Sequence, residues 1–115
     1  MKTVKEKLGI KEGKQVLVLN PPQGYIDLQA SSAIKEADII QLFITSKQDL
    51  QDFIDANRSS LKNSIALWVT YPKASPHLGI NRDIIASFLK QYALEGIAIC
   101  SIDETWSALR FKHIS

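Results

Sequence analysis

Residues 39–71, IIQLFITSKQDLQDFIDANRSSLKNSIALWVTY, decide the architecture. The first run, Ile39–Thr45, is apolar at almost every position, the pattern of a strand covered on both faces rather than one. Ser46 followed by Asp49 is a helix start signal of the S-x-x-D type. Leu50, Phe53, Ile54 and Asn57 then share one face at helical spacing, with Leu61 beyond. A second apolar run, Ile65–Tyr71, is closed by Pro72. Strand, helix and strand joined by short connections form a parallel unit, and the chain is expected to be α/β.

The same pattern extends outward in both directions. Val16–Asn20 is a short β-branched run after Gly13, and Ile97–Ile102 follows Gly96. Both are as apolar as the central runs. Ile84, Ile85, Phe88, Leu89 and Ala93 repeat at helical spacing after Asn81, a good N-cap, and Gly96 reads as the stop signal. Ser107–Lys112 alternates, and the turn Asp103-Glu104-Thr105 before it predicts a hairpin with an antiparallel last strand. A weaker helix is expected within 24–35, where Ile26, Ala30, Ala33 and Ile34 roughly align, and another turn of helix at Thr3–Leu8. Right-handed crossovers leave few topologies open.

At 115 residues the chain has room for one domain, residues 1–115, with 1–14 as a basic lead-in. Hydrophobic residues make up 45% and charged ones 23%, which excludes collagen-like, low-complexity and disulfide-scaffold classes. A single cysteine, Cys100, suits a reducing compartment, and a cytoplasmic location is expected. The charged N-terminus reads as neither signal peptide nor anchor, and no apolar run approaches the roughly 20 residues of a membrane span. Net charge is +2, unevenly placed: five lysines against two glutamates give the first fourteen residues +3 and the remainder −1. No aromatic side chain is interleaved with those lysines to stack on bases, so nucleic acid is not an expected partner.

Five stretches in order, KLGIKEGKQVLVLNPPQGY, IIQLFITSK, LWVTYPK, INRD and DETWSALRF, resemble a family of small bacterial proteins without an assigned activity. The skeleton also resembles a stripped class I (S-adenosylmethionine-dependent) methyltransferase domain. That resemblance implies a minimal Rossmann-like three-layer sandwich with five strands, mostly parallel. It further implies that the last strand inserts antiparallel between the third and fourth. In methyltransferases a glycine-rich turn after the first strand brings backbone N–H groups to the cofactor. Here Asn20-Pro21-Pro22-Gln23-Gly24 stands in its place, and two prolines remove two donors. The strand that would carry an acidic residue for ribose hydroxyls is absent. No cofactor is therefore expected.

Ligands of open α/β sheets lie beyond the carboxyl ends of the strands. Three loops meet there, and Asn20, Gln23, Gly24, Tyr25, Thr45, Ser46, Lys47, Tyr71 and Lys73 form the candidate ligand-binding rim. Its ammonium groups and helix N-termini suit a small anion, phosphate or carboxylate bearing. The plainer alternative makes Ser46 a cap and the lysines surface groups. Asp103, Trp106 and Arg110 form a second candidate, an interaction edge in which Asp and Arg pair under Trp, or else a structural turn.

No catalytic constellation stands out. Cys100 has apolar neighbours and reads as a small buried hydrophobe. His77 and His113 lack metal-ligand spacing, so no metal is expected. Asp49, Asp52 and Asp55 read as a solvated stripe. The expected function is a non-catalytic small-ligand-binding or protein-interaction module. A reduced transferase with a nucleotide-type cofactor and a structural subunit of a homo-oligomer are the alternatives. Either outer run, Val16–Asn20 or Ile97–Ile102, offers unpaired backbone groups as an edge strand unless covered.

Overall fold

Runs that are apolar at successive positions have no solvent side to present, so they take the middle of a sheet. In the computed structural model, which describes residues 4–10, 13–25, 36–57, 59, 65–73 and 79–113, this is where the runs Ile39–Thr45 and Ile65–Tyr71 lie. Strand β2 (Ile39–Phe43) is buried throughout, and β3 (Ala66–Pro72) is buried at all but its last residue. Outside them are β1 (Val16–Leu19), β4 (Leu94–Ser101) and β5 (Trp106–His113). The sheet order is β1-β2-β3-β5-β4. β1, β2 and β3 run parallel, while β5 is antiparallel to both β3 and β4. The resemblance implied this order, and the alternating last run implied its direction.

Alternation along the strands sorts the core into two faces. Ile40, Leu42, Leu67, Val69, Leu109 and Phe111 meet α2 (Lys47–Asn57) and α3 (Arg82–Lys90) through Leu50, Phe53, Ile54, Ile85, Phe88 and Leu89. Ile39, Ala66, Trp68 and Ala108 face the other way, beneath Leu8, Ile10 and Tyr25. Leu8 follows the short α1 (Val4–Lys7), and its carbonyl accepts a 3.0 Å bond from the buried Trp68 indole. A buried indole N–H needs such a partner, and this bond fixes the N-terminal segment on the sheet. The expected helix within 24–35 falls outside the described residues, apart from Gly24 and Tyr25. These two close a turn in which the Tyr25 N–H donates to the Pro22 carbonyl at 3.1 Å.

The end of α3 differs from expectation. The helix is capped by Asn81, whose side chain accepts from the Ile84 N–H at 2.9 Å, but it ends at Lys90, so Ala93 is not part of it. The left-handed position that lets the chain turn back is Ala93 itself, at φ 60°, not a glycine. Gly96 therefore does not stop the helix. It lies inside β4, where the pairing slips between Gly96 and Ala98 and a Cβ would touch the Phe111 ring at 3.4 Å. A glycine that reads as a stop signal marks a bulge and a close approach instead.

A second difference concerns burial. Ile97–Ile102 is composed like a strand covered on both faces, yet β4 is the outermost strand. Only Leu94 is buried along it, and Ile97 and Ile99 are 44% and 50% exposed. Cys100 is consequently half-buried rather than enclosed.

Candidate functional site

Thr45, Ser46, Tyr25 and Lys73, four of the polar groups expected at the rim beyond the carboxyl ends of β1–β3, each have a structural partner. Ser46 caps α2, accepting from the Asp49 N–H at 3.1 Å. The Asp49 carboxylate reaches back and accepts from the Thr45 N–H at 2.9 Å and the Thr45 hydroxyl at 3.1 Å. This reciprocal arrangement satisfies the Asp49 and Thr45 N–H groups and places a carboxylate where an anionic ligand would sit. Lys47 turns away toward α3, with its ammonium 5.8 Å from the Phe88 ring centre. Tyr71 is buried among the residues under the helices.

Lys73 reaches across the sheet end to the β4–β5 hairpin. Its ammonium donates to the Ser101 hydroxyl and to the Asp103 carbonyl, the latter at 2.6 Å. Its backbone N–H donates to the Thr105 carbonyl at 2.8 Å. The Asp103 carboxylate accepts from the N–H groups of Thr105 and Trp106, both at 2.8 Å, as an Asp at the head of a tight turn does. It is turned into the hairpin. Arg110 is half-buried on the face with Trp68 and Ala108, and among the described residues its Nε has no hydrogen-bond partner. Trp106 lies edge-on against Phe43, ring centres 5.1 Å apart.

Tyr25 lies on that same face. Its ring meets Phe43 edge-on at 4.8 Å, so Tyr25, Phe43 and Trp106 form one aromatic cluster over the sheet end. Its phenol donates to Gln41 Oε1 at 2.7 Å, and Gln41 Nε2 donates to the Thr70 hydroxyl at 3.3 Å. Gln41 and Thr70 are fully buried. Burial pushes the Tyr25 phenol above its ordinary range, and the Asp103 carboxylate adds to the effect. Gln41 is the residue that sequence reasoning passed over. Its signal was present: one polar side chain inside the run IIQLFIT must find hydrogen bonds if that run is buried.

The exposed remainder of the rim is Asn20, Gln23 and Gly24. Asn20 takes φ 56°, a left-handed position that Asn tolerates better than most residues. It lines a cleft of about 310 Å³ with Leu19, Asp49, Asp52, Phe53 and Asn57. That cleft is acidic, opposite in sign to the expected rim. The rest of the acidic stripe is occupied along its own helix: Asp52 accepts from Gln48 at 2.7 Å and Asp55 from Gln51 at 2.8 Å. Among the described residues no three His, Cys, Asp or Glu side chains gather as a metal set. His77 lies outside those residues. Burial raises the Cys100 thiol, and Lys7 partly offsets it.

This is a methyltransferase-like α/β fold. The structure is similar to the M1A22 tRNA methyltransferase TrmK of B. subtilis, with a TM-score of 0.51 and 16% identity, over 71% of this chain and 33% of that one. It is similar to a LepI variant in complex with SAH and a substrate analogue, with a TM-score of 0.57 and 11% identity, over 96% of this chain and 39% of LepI. LepI in complex with SAM gives 0.55 and 12%. At such identities the likeness concerns the fold, and the chain spans well under half the length of these proteins. No protein-family model matches the chain, and no curated protein is significantly similar to it in sequence. Among the described residues no helix is long and apolar enough to cross a membrane.

Proposed function

We propose that the protein is a non-catalytic interaction module on a reduced, Rossmann-like methyltransferase fold, and that it engages a partner strand along β4. The small bacterial proteins that its sequence resembles are taken as its kin. One observation carries the proposal: β4 has the composition of a buried strand and the exposure of a surface one. A partner that adds a strand satisfies the edge N–H and C=O groups and covers Ile97 and Ile99 together. The internal pairing of Thr45, Ser46, Tyr25 and Lys73 supports the same reading, since it leaves few groups turned outward for a small anion. A photo-reactive benzophenone side chain at position 99, with position 48 on α2 as control, tests it in cells. Adducts are expected from position 99 and not from position 48. Absence of any adduct at position 99 overturns the proposal.

The acidic cleft at Asn20 favours a second, small-ligand reading. Its carboxylates suit a cationic or hydroxyl-bearing ligand, not an anion. Calorimetry with S-adenosylmethionine, which carries a sulfonium cation and ribose hydroxyls, tests this reading and the transferase alternative together. A flat titration at millimolar ligand ends the transferase alternative.

A further inference from the structure

We infer that the strand accepted by β4 is acidic on one face, and that Arg110 receives its carboxylate across Ala98. This inference rests on the β4 reading above and names the chemistry of the partner. Arg110 is half-buried in β5 and its Nε is enclosed. No hydrogen bond or ion pair joins its guanidinium to another described residue. A charge held partly out of water without a counter-charge is unfavourable, and an incoming carboxylate relieves it.

Register places that charge beside the free edge. Ala98, Ile99, Cys100 and Ser101 pair residue for residue with Arg110, Leu109, Ala108 and Ser107, beyond the slip between Gly96 and Ala98. This regular stretch can continue the ladder into another strand, whereas the bulge bends the edge away toward Leu94. On its other side Arg110 pairs with Trp68. A row across the sheet therefore runs Trp68, Arg110, Ala98 and the residue of the added strand opposite Ala98, with all four side chains on one face. Ala98 contributes only a methyl group to that row. About 10 Å, two strand spacings, separates the Arg110 backbone from the fourth position, and an arginine and a glutamate side chain together span it.

The sign of the partner is set on this face. Lys7 lies at the same edge, where its ammonium donates to the Ser101 carbonyl at 2.8 Å, and adds a second positive charge. Farther along, Glu95 and Lys112 are opposite one another in register and offset each other. On the helix face, the neighbouring row of Leu109 and Ile99 runs beside a hollow of about 300 Å³ that these two residues line with Ala86. An aliphatic side chain suits that position. Arg82 and Asp83 also line the hollow, are of opposite sign, and select neither charge. The partner strand thus alternates acidic residues toward Arg110 with aliphatic ones toward Ile99.

A fluorescein-labelled hexapeptide alternating valine and glutamate, with its valine and lysine counterpart, tests the inference by anisotropy against the full chain at up to about 1 mM. The glutamate peptide is expected to bind about tenfold tighter. Arg110→Glu, with an unchanged circular dichroism spectrum, is expected to reverse the order. Arg110→Gln narrows the preference, and provides the reading if the reversed charge prevents folding. Lys14→Glu, the same change of charge at an exposed position before β1 on the opposite edge of the sheet, is expected to keep the order. Benzophenone at position 99 should capture the glutamate peptide, and at position 48 should not. Equal binding of the two peptides overturns the inference, as does a preference that both Arg110 variants retain; capture at position 99 then still keeps the β4 edge. No peptide binding and no adduct at position 99 sinks both. An adduct of twice the chain mass formed without peptide makes a second copy the occupant and overturns the acidic strand.

Discussion

Replacing Gln41 with Leu tests whether the polar chain under the aromatic cluster is a structural unit. Gln41 is fully buried and joins the Tyr25 phenol at 2.7 Å to the Thr70 hydroxyl at 3.3 Å. Leu fits the space but strands both hydroxyls. Thr70 is fully buried and has no route to water, while Tyr25 is half-buried and recovers part of its loss from solvent. A buried hydroxyl left without its partner costs about 1–3 kcal/mol, and the apolar replacement returns part of that, for a net loss of about 1–2 kcal/mol. For a chain of this length, that is a fall in Tm of about 4–10 °C. Urea unfolding should show a lower midpoint at unchanged m. The triple variant Tyr25→Phe/Gln41→Leu/Thr70→Val leaves no polar atom stranded and should return to within about 1 kcal/mol of the parent. It should also keep its β4 association. A single variant as stable as the parent, or a triple variant less stable than the single, refutes the chain as a unit.

Three further outcomes follow from local geometry. Ala93→Gly relieves a left-handed alanine at φ 60° and should raise stability by about 1 kcal/mol in urea unfolding, since glycine alone takes this conformation without a Cβ penalty. Asp49→Ala removes the acceptor for the Thr45 N–H and hydroxyl, and should cost about 1 kcal/mol with fraying of α2 in amide exchange. The buried Tyr25 phenol keeps its proton to higher pH when folded than when unfolded. Between the two values the folded state holds more protons, so stability should fall as pH rises above about 10. Tyr25→Phe should flatten that decline; an unchanged slope would place its source elsewhere.

Much of the fold was legible because its signals are local. IIQLFIT and IALWVTY declare central strands by leaving no polar face, and SALRFK, by alternating, declares an antiparallel strand. Asn81 and Ser46 name the helix starts, because a side-chain oxygen one turn before the apolar stripe has a specific backbone N–H to meet. The end of α3 was not legible. Its turn uses Ala93 in a conformation that composition never suggests, while Gly96 offered a false stop. The candidate rim was legible only as a set of strand ends. Lys47, Lys73 and Tyr71 have chemistry suited to a ligand, but a long side chain takes the partner that the fold brings within reach.

The sequence by itself determined the elements, their order, and the sheet in which they can pair. Periodicity and capping act over a few residues, and strand direction follows from connection length. The tertiary structure decided which groups are spent and which remain. Lys73 is spent on Ser101 and Asp103, some 30 residues away, and Tyr25 on Gln41. It also decided that IAICSI, no less apolar than its neighbours, stands at the edge of the sheet. Burial depends on how many strands stand beside a strand, and a strand's own residues do not encode that number.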